Sequence, residues 1–111
     1  MRAIALALSV ILLFSVVAFA ATTNNASMNM LFSGTTATCR ATAAAPGATI
    51  EITMELWQGT TKLKEWTKSG TDSVTKTGTH ACVSGMTYDL YGTYTIDGVT
   101  YDYTSKTKTC P

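Results

Sequence analysis

Apolar and polar residues alternate along most of this chain from residue 27 onward. Ala37, Cys39, Ala41 and Ala43 fall on one parity, with Thr36, Thr38, Arg40 and Thr42 on the other. Ile50, Ile52, Met54 and Leu56 alternate in the same way with Glu51, Thr53 and Glu55. A period of two puts one set on a buried sheet face and the other in water. Seven runs are predicted as strands: 27–33, 35–44, 49–57, 62–68, 73–83, 86–96 and 99–109. Between them stand Gly34, Pro46-Gly47, Gln58-Gly59, Ser69-Gly70, Ser84-Gly85 and Asp97-Gly98, all turn-forming signals. No segment carries a convincing helical period. Short strands at this spacing predict an all-β domain, an antiparallel β-sandwich of about seven strands.

Two hairpins can be taken to register. Asp97-Gly98 is a two-residue turn of the type I′ kind. It places Ile96 opposite Val99, Tyr94 opposite Tyr101 and Gly92 opposite Tyr103 on the inner face, with a tyrosine ring over the strand glycine. On the outer face it places Asp89 opposite Lys106, Thr93 opposite Asp102 and Thr95 opposite Thr100. A one-residue slip would turn the tyrosines outward. For the second hairpin, a four-residue loop over 58–61 pairs Leu56 with Leu63, Glu55 with Lys64 and Glu51 with Lys68. The shorter loop, Gln58-Gly59, would set Ile52 against Glu65 and is disfavoured.

The first twenty residues do not belong to this pattern. Arg2 precedes an almost unbroken apolar run to Val17, and Ala18-Phe19-Ala20 is a small-x-small cleavage site. This is the layout of a secretory signal peptide, with a mature start expected at Ala21. The expected product is secreted, at the cell surface or in the medium, where cysteines oxidise. Residues 21–26 are polar and expected to be disordered, leaving 27–111 as the β domain. Asn25-Ala26-Ser27 matches the N-glycosylation pattern on three residues only.

Composition narrows the partners. Lys and Arg number eight and Asp and Glu seven, with no basic cluster, so nucleic acid is not an expected partner. After signal cleavage no run is long enough to span a membrane. Thr occupies 22 positions, interleaved with Ile, Leu, Tyr and Trp, as on the wet faces of folded strands rather than in a stalk.

Val83-Ser84-Gly85-Met86-Thr87-Tyr88-Asp89-Leu90 resembles the tyrosine corner of immunoglobulin-like and fibronectin-III sandwiches, in which a tyrosine hydroxyl ties back to an upstream backbone group. The wider layout runs from Ala37-Thr38-Cys39 through the Ile50–Leu56 alternation, Trp66 and Gly85-x-x-Tyr88 to the closing hairpin. It is similar to small secreted Gram-positive proteins of unassigned function. These are packing motifs; the resemblance implies a fold and secretion, and no activity.

Cys39, Cys82 and Cys110 allow one internal disulfide and one free thiol. The closing hairpin sets Cys110 opposite Gly85, beside Cys82, which favours Cys82–Cys110 with Cys39 as a small core residue. Cys39–Cys82, resembling an immunoglobulin inter-sheet bridge, Cys39–Cys110 and no bridge at all stand as alternatives.

Catalytic and metal chemistry find little support in these residue types. His80-Ala81-Cys82 offers two ligands where zinc needs three or four. Met28, Met30, Met54 and Met86 suit a core better than a copper site. A Cys39–His80 nucleophile pair has no orienting third residue, and the scattered carboxylates have no cleft. No cofactor and no metal are expected, and the domain is read as non-catalytic. Recurrent Thr-x-Thr fits solvent faces better than a flat ice-binding array. Trp57, Tyr91 and Trp66 are the aromatics placed outward, so an extracellular protein or glycan is the expected partner. The alternative is an assembly subunit linked through an edge strand or a spare thiol.

Overall fold

A computed structural model describes residues 25–111; the expected signal peptide and residues 21–24 lie outside the described residues. All secondary structure there is strand: β1 (Asn25–Ser33), β2 (Thr36–Gln58), β3 (Thr61–Ala81), β4 (Thr87–Ile96), β5 (Val99–Asp102) and β6 (Lys106–Thr109). Every pairing is antiparallel. The first strand begins at Asn25, so Asn25 and Ala26 pair with Ala44 and Ala43 rather than joining the expected disordered segment.

The seven expected runs become six strands by two joins and one break. Runs 35–44 and 49–57 join as β2, and runs 62–68 and 73–83 join as β3. The expected turns become a corner in a continuous hairpin. There the register slips between Ala45 and Thr49, leaving Pro46 and Gly47 outside the ladder, where a proline without an N–H is tolerated. Two aspartates pin this corner. Asp72, in a left-handed backbone conformation, accepts from the Gly47 N–H at 2.8 Å. Asp97 accepts from the Thr49 N–H at 2.9 Å and returns its own N–H to the Thr49 carbonyl.

The corner folds the sheet over itself. One half, here layer one, holds β1, the first part of β2 and the second part of β3. Layer two holds the first part of β3, the second part of β2, β4, and then β5 and β6 side by side on the edge of β4. The inner faces meet in one core. In layer one β2 contributes the small residues Ala37, Cys39, Ala41 and Ala43, and β1 adds Met28 and Met30; layer two contributes Ile50, Ile52, Met54, Leu56 and Leu90. Small side chains opposite large ones let two sheets approach closely. Trp66 covers Gly78 so closely that a Cβ there would overlap the indole. A Cβ on Gly92 would meet the Met28 sulfur at 2.7 Å and the Tyr103 ring at 3.0 Å, so the expected tyrosine does lie over that glycine. The Tyr103 hydroxyl donates to the Thr42 carbonyl at 2.7 Å, linking the layers. The result is one curled antiparallel sheet, consistent with a β-sandwich.

The closing hairpin keeps its expected register from Ile96–Val99 to Thr93–Asp102, with both Asp97 and Gly98 at positive φ as a type I′ turn requires. Past Tyr103 one extra residue shifts the ladder. Asp89 therefore meets Thr107, not Lys106, and the Cys110 N–H bonds to the Met86 carbonyl. The shift has a physical reason: in the unshifted register Cys110 would point outward, whereas here it is buried and bonded to Cys82. The tyrosine tie also forms. Tyr88 is buried, and its hydroxyl accepts the Val83 N–H at 2.8 Å.

The other hairpin departs sooner. Gln58 pairs with Thr61 and Trp57 with Lys62, then Leu63 bulges out of the ladder. From there Leu56 faces Lys64 and Glu55 faces Glu65, so the expected Glu55–Lys64 and Glu51–Lys68 pairs are absent. The bulge brings Trp66 opposite Met54, on the core side. Lys64 and Lys68 then also take core-side parity, which an edge strand tolerates because their stems lead the ammonium groups back to water.

Candidate functional site

The outer face of layer two is built from three neighbouring strands. Along β2 the outward residues are Glu51, Thr53, Glu55 and Trp57. Beside them on β4 stand Thr95, Thr93, Tyr91 and Asp89; on β3 they are Ser69, Thr67, Glu65 and Lys62. Trp57 and Tyr91 meet edge to face, with centroids 6.5 Å apart and planes at 78°. The indole N–H donates to Glu55 at 3.0 Å, which fixes the ring's direction. Thr107 donates to Asp89 from the β6 side. Lys62 lies 2.7 Å from Glu65, and that hydrogen bond holds its ammonium above the usual lysine range.

The charges on this face are one-sided. Glu51, Glu55, Glu65, Asp89 and Asp102 all point outward, five of the seven carboxylates of the chain, against Lys62 alone. Beyond Asp89, a shallow depression of about 640 Å³ opens between the β2–β3 turn and the start of β4, lined by Gln58, Thr61, Met86 and Thr87. Met86 is exposed there.

The expected aromatic patch is thus divided. Trp57 and Tyr91 come together; Trp66 sits on the core side against Gly78 and is no part of it. None of the five carboxylates is part of the patch expected from the sequence. Asp102 has a visible outward parity, but the outward turn of Glu65 depends on the Leu63 bulge, which leaves no composition signal.

The cysteines resolve as one bridge and one thiol. Cys82 and Cys110 are joined, with Cα atoms 6.1 Å apart, a bond compatible with an oxidising compartment. Cys39 is free and has 0% of its surface exposed. Burial pushes its thiol up to about 11, the opposite of what a nucleophilic cysteine needs. His80 turns its Nδ1 to the Ala81 carbonyl. Among the described residues no three His, Cys, Asp or Glu side chains converge as a metal site, and no helix is long and apolar enough to cross a membrane. No protein-family model matches this sequence, and no curated protein matches it either.

Proposed function

We propose that this chain is a secreted, non-catalytic binding domain that engages a protein or glycan outside the cell through the outer face of layer two. The observation that carries this reading is the Trp57–Tyr91 pair, oriented by Glu55 on a sheet face that no other described element covers. Aromatic side chains with one apolar body and one polar handle are common contact residues. The amino-terminal export pattern and the Cys82–Cys110 bridge support an extracellular setting. The Tyr88–Val83 bond supports reading the fold as an immunoglobulin/fibronectin-III-like variant.

Tryptophan emission tests the reading. The purified protein and its Trp57→Phe variant are titrated with neutral oligosaccharides (chitin oligomers) and with synthetic peptides of varied charge. The expected result is a spectral change with one class of probe in the parent protein that is absent in the variant. No Trp57-dependent change with either class contradicts the reading.

A second reading, assembly through an edge strand, is favoured by β1. That strand has nine residues, carries no charge and exposes Leu31 at 56%. Edges of this kind lack the usual protection against pairing, whereas β3 carries Lys64, Lys68 and Lys76. A link through Cys39 would need the core to open. Concentration-dependent dimers in sedimentation that vanish in Leu31→Lys would favour assembly; a monomer at all concentrations would exclude it.

A further inference from the structure

We propose that the partner of the layer-two face is a cationic polypeptide segment, seated with arginine or lysine side chains over Trp57 and Tyr91 and against Glu55, Glu65 and Asp89. This deepens the binding reading above and rests on it. The argument starts from charge. Nearly neutral overall, the chain nonetheless gathers five carboxylates on one sheet face, and the single lysine there is already engaged by Glu65. The other lysines of β3 and β6 take core-side parity at the sheet edges, Lys64 opposite Leu56 and Lys106 opposite Leu90. Such a face attracts positive charge and repels negative charge over a Debye length, about 8 Å at physiological ionic strength.

Geometry then selects the kind of cation. The carboxylates are spread over adjacent strands about 4.8 Å apart and along them at about 6.8 Å per two residues, and no three converge as an ion site. A single metal ion therefore finds no cage, while several side-chain cations on one backbone find several partners. The ring planes stand at 78°, so they do not form the coplanar platform that a chain of neutral pyranose rings stacks on. An edge-to-face pair instead leaves ring faces for a guanidinium or ammonium group. Glu55 and Glu65 face each other across the β2–β3 ladder, and Lys62, bonded to Glu65, is the one cation beside the two carboxylates, which leaves the pair with a net negative charge.

The test uses a ten-residue peptide of alternating arginine and serine, its glutamate–serine counterpart, and neutral chitin oligomers, each titrated into the purified protein at low and at physiological salt. The arginine peptide is expected to bind with a Trp57-dependent emission change. Its affinity should fall as salt rises, and by about tenfold in the E55Q/E65Q/D89N variant. The glutamate peptide should not bind. Far-ultraviolet circular dichroism confirms that the neutralised variant remains folded, and single E65Q, expected to lose a few-fold, covers the case where it does not. If the chitin oligomers bind through Trp57 without salt dependence and the arginine peptide does not, the cationic-partner proposal falls while the binding reading stands. If no probe acts through Trp57, both fall.

Discussion

On the outer face of layer one stand Ser27, Asn29, Thr36, Thr38, Thr42, Thr75, Thr77 and Thr79, with Arg40 the one charge among them and Leu31 exposed beside Thr38. On the outer face of layer two stand Trp57, Tyr91, five carboxylates and one lysine. Both faces belong to the same two long strands, and both lie over the same core. Apart from Leu31 on the β1 edge, layer one's face is what β-propensity provides: mostly β-branched polar residues that pack along a pleat and bond across it, as Ser27 and Thr42 do at 3.1 Å. Layer two's face departs from that background. Glu55 lies opposite Glu65 with only Lys62 beside them, and Trp57 and Tyr91 are half-buried on the open face. The proposed binding reading rests on this difference, with layer two as the binding face.

The largest effect should strike both faces together, because they share a core. Replacing Cys82 and Cys110 with serine removes the clamp between the end of β3 and the C-terminus. It should lower unfolding stability by about 3 kcal/mol in urea denaturation. Loss confined to one face would show that the two layers unfold separately.

An alkaline limit should follow from the same core. The Cys39 thiol ionises near 9.0 when exposed and near 11 in the folded protein. The folded state therefore holds its proton more tightly than the unfolded chain, and this contribution is fully present below pH 9 and lost as pH rises towards 11. Tyr103 is also raised, by burial first and by Tyr94 second, and extends the loss upward from about pH 10. Thermal melts from pH 8 to 11 should show the decline, and Cys39→Ala should remove the part that begins near pH 9.

Tyr88→Phe should cost about 1 kcal/mol, since it leaves the Val83 N–H without its acceptor while keeping the ring in the core. Equilibrium denaturation measures it directly. The smallest changes in stability distinguish the faces most sharply. Trp57→Ala should cost about 1 kcal/mol or less and abolish the peptide-dependent signal. Thr77→Val should change stability by less than about 0.5 kcal/mol and leave the signal intact. Equal effects of the two substitutions on binding would dissolve the distinction between the faces.

Much of this architecture was legible in the alternation. The parity of residues 37–43 and 50–56 is the parity observed, and Asp97-Gly98 set the hairpin as its turn chemistry requires. Tyr88 made its tie and Cys82 its bridge. Three features escaped, all for a related reason. Pro46-Gly47 and Ser69-Gly70 read as chain reversals, yet Pro46-Gly47 leaves the ladder at a bent corner and Ser69-Gly70 stays paired with Glu51 and Ile50 beside it, because turn residues permit a reversal and do not require one. The extra residues at Leu63 and between Tyr103 and Lys106 reverse the parity of everything after them, and a bulge is favoured by what it buries later. At Leu63 the gain is Trp66 over Gly78; past Tyr103 it is Cys110 beside Cys82. The candidate site inherits this limit: Trp57 and Tyr91 were visible as outward residues, while the outward turn of Glu65 waits on the bulge two positions before it.

Nuclear magnetic resonance of the uniformly ¹⁵N-labelled protein, titrated with the arginine–serine peptide at low salt, examines both faces at once. Shifts should concentrate on the Trp57 indole and on the backbone amides of Glu55, Glu65, Asp89 and Tyr91, with Thr38, Arg40 and Thr77 unmoved. Shifts centred on Thr38, Arg40 and Thr77, or none on the layer-two face at saturating peptide, would contradict the assignment of binding to that face.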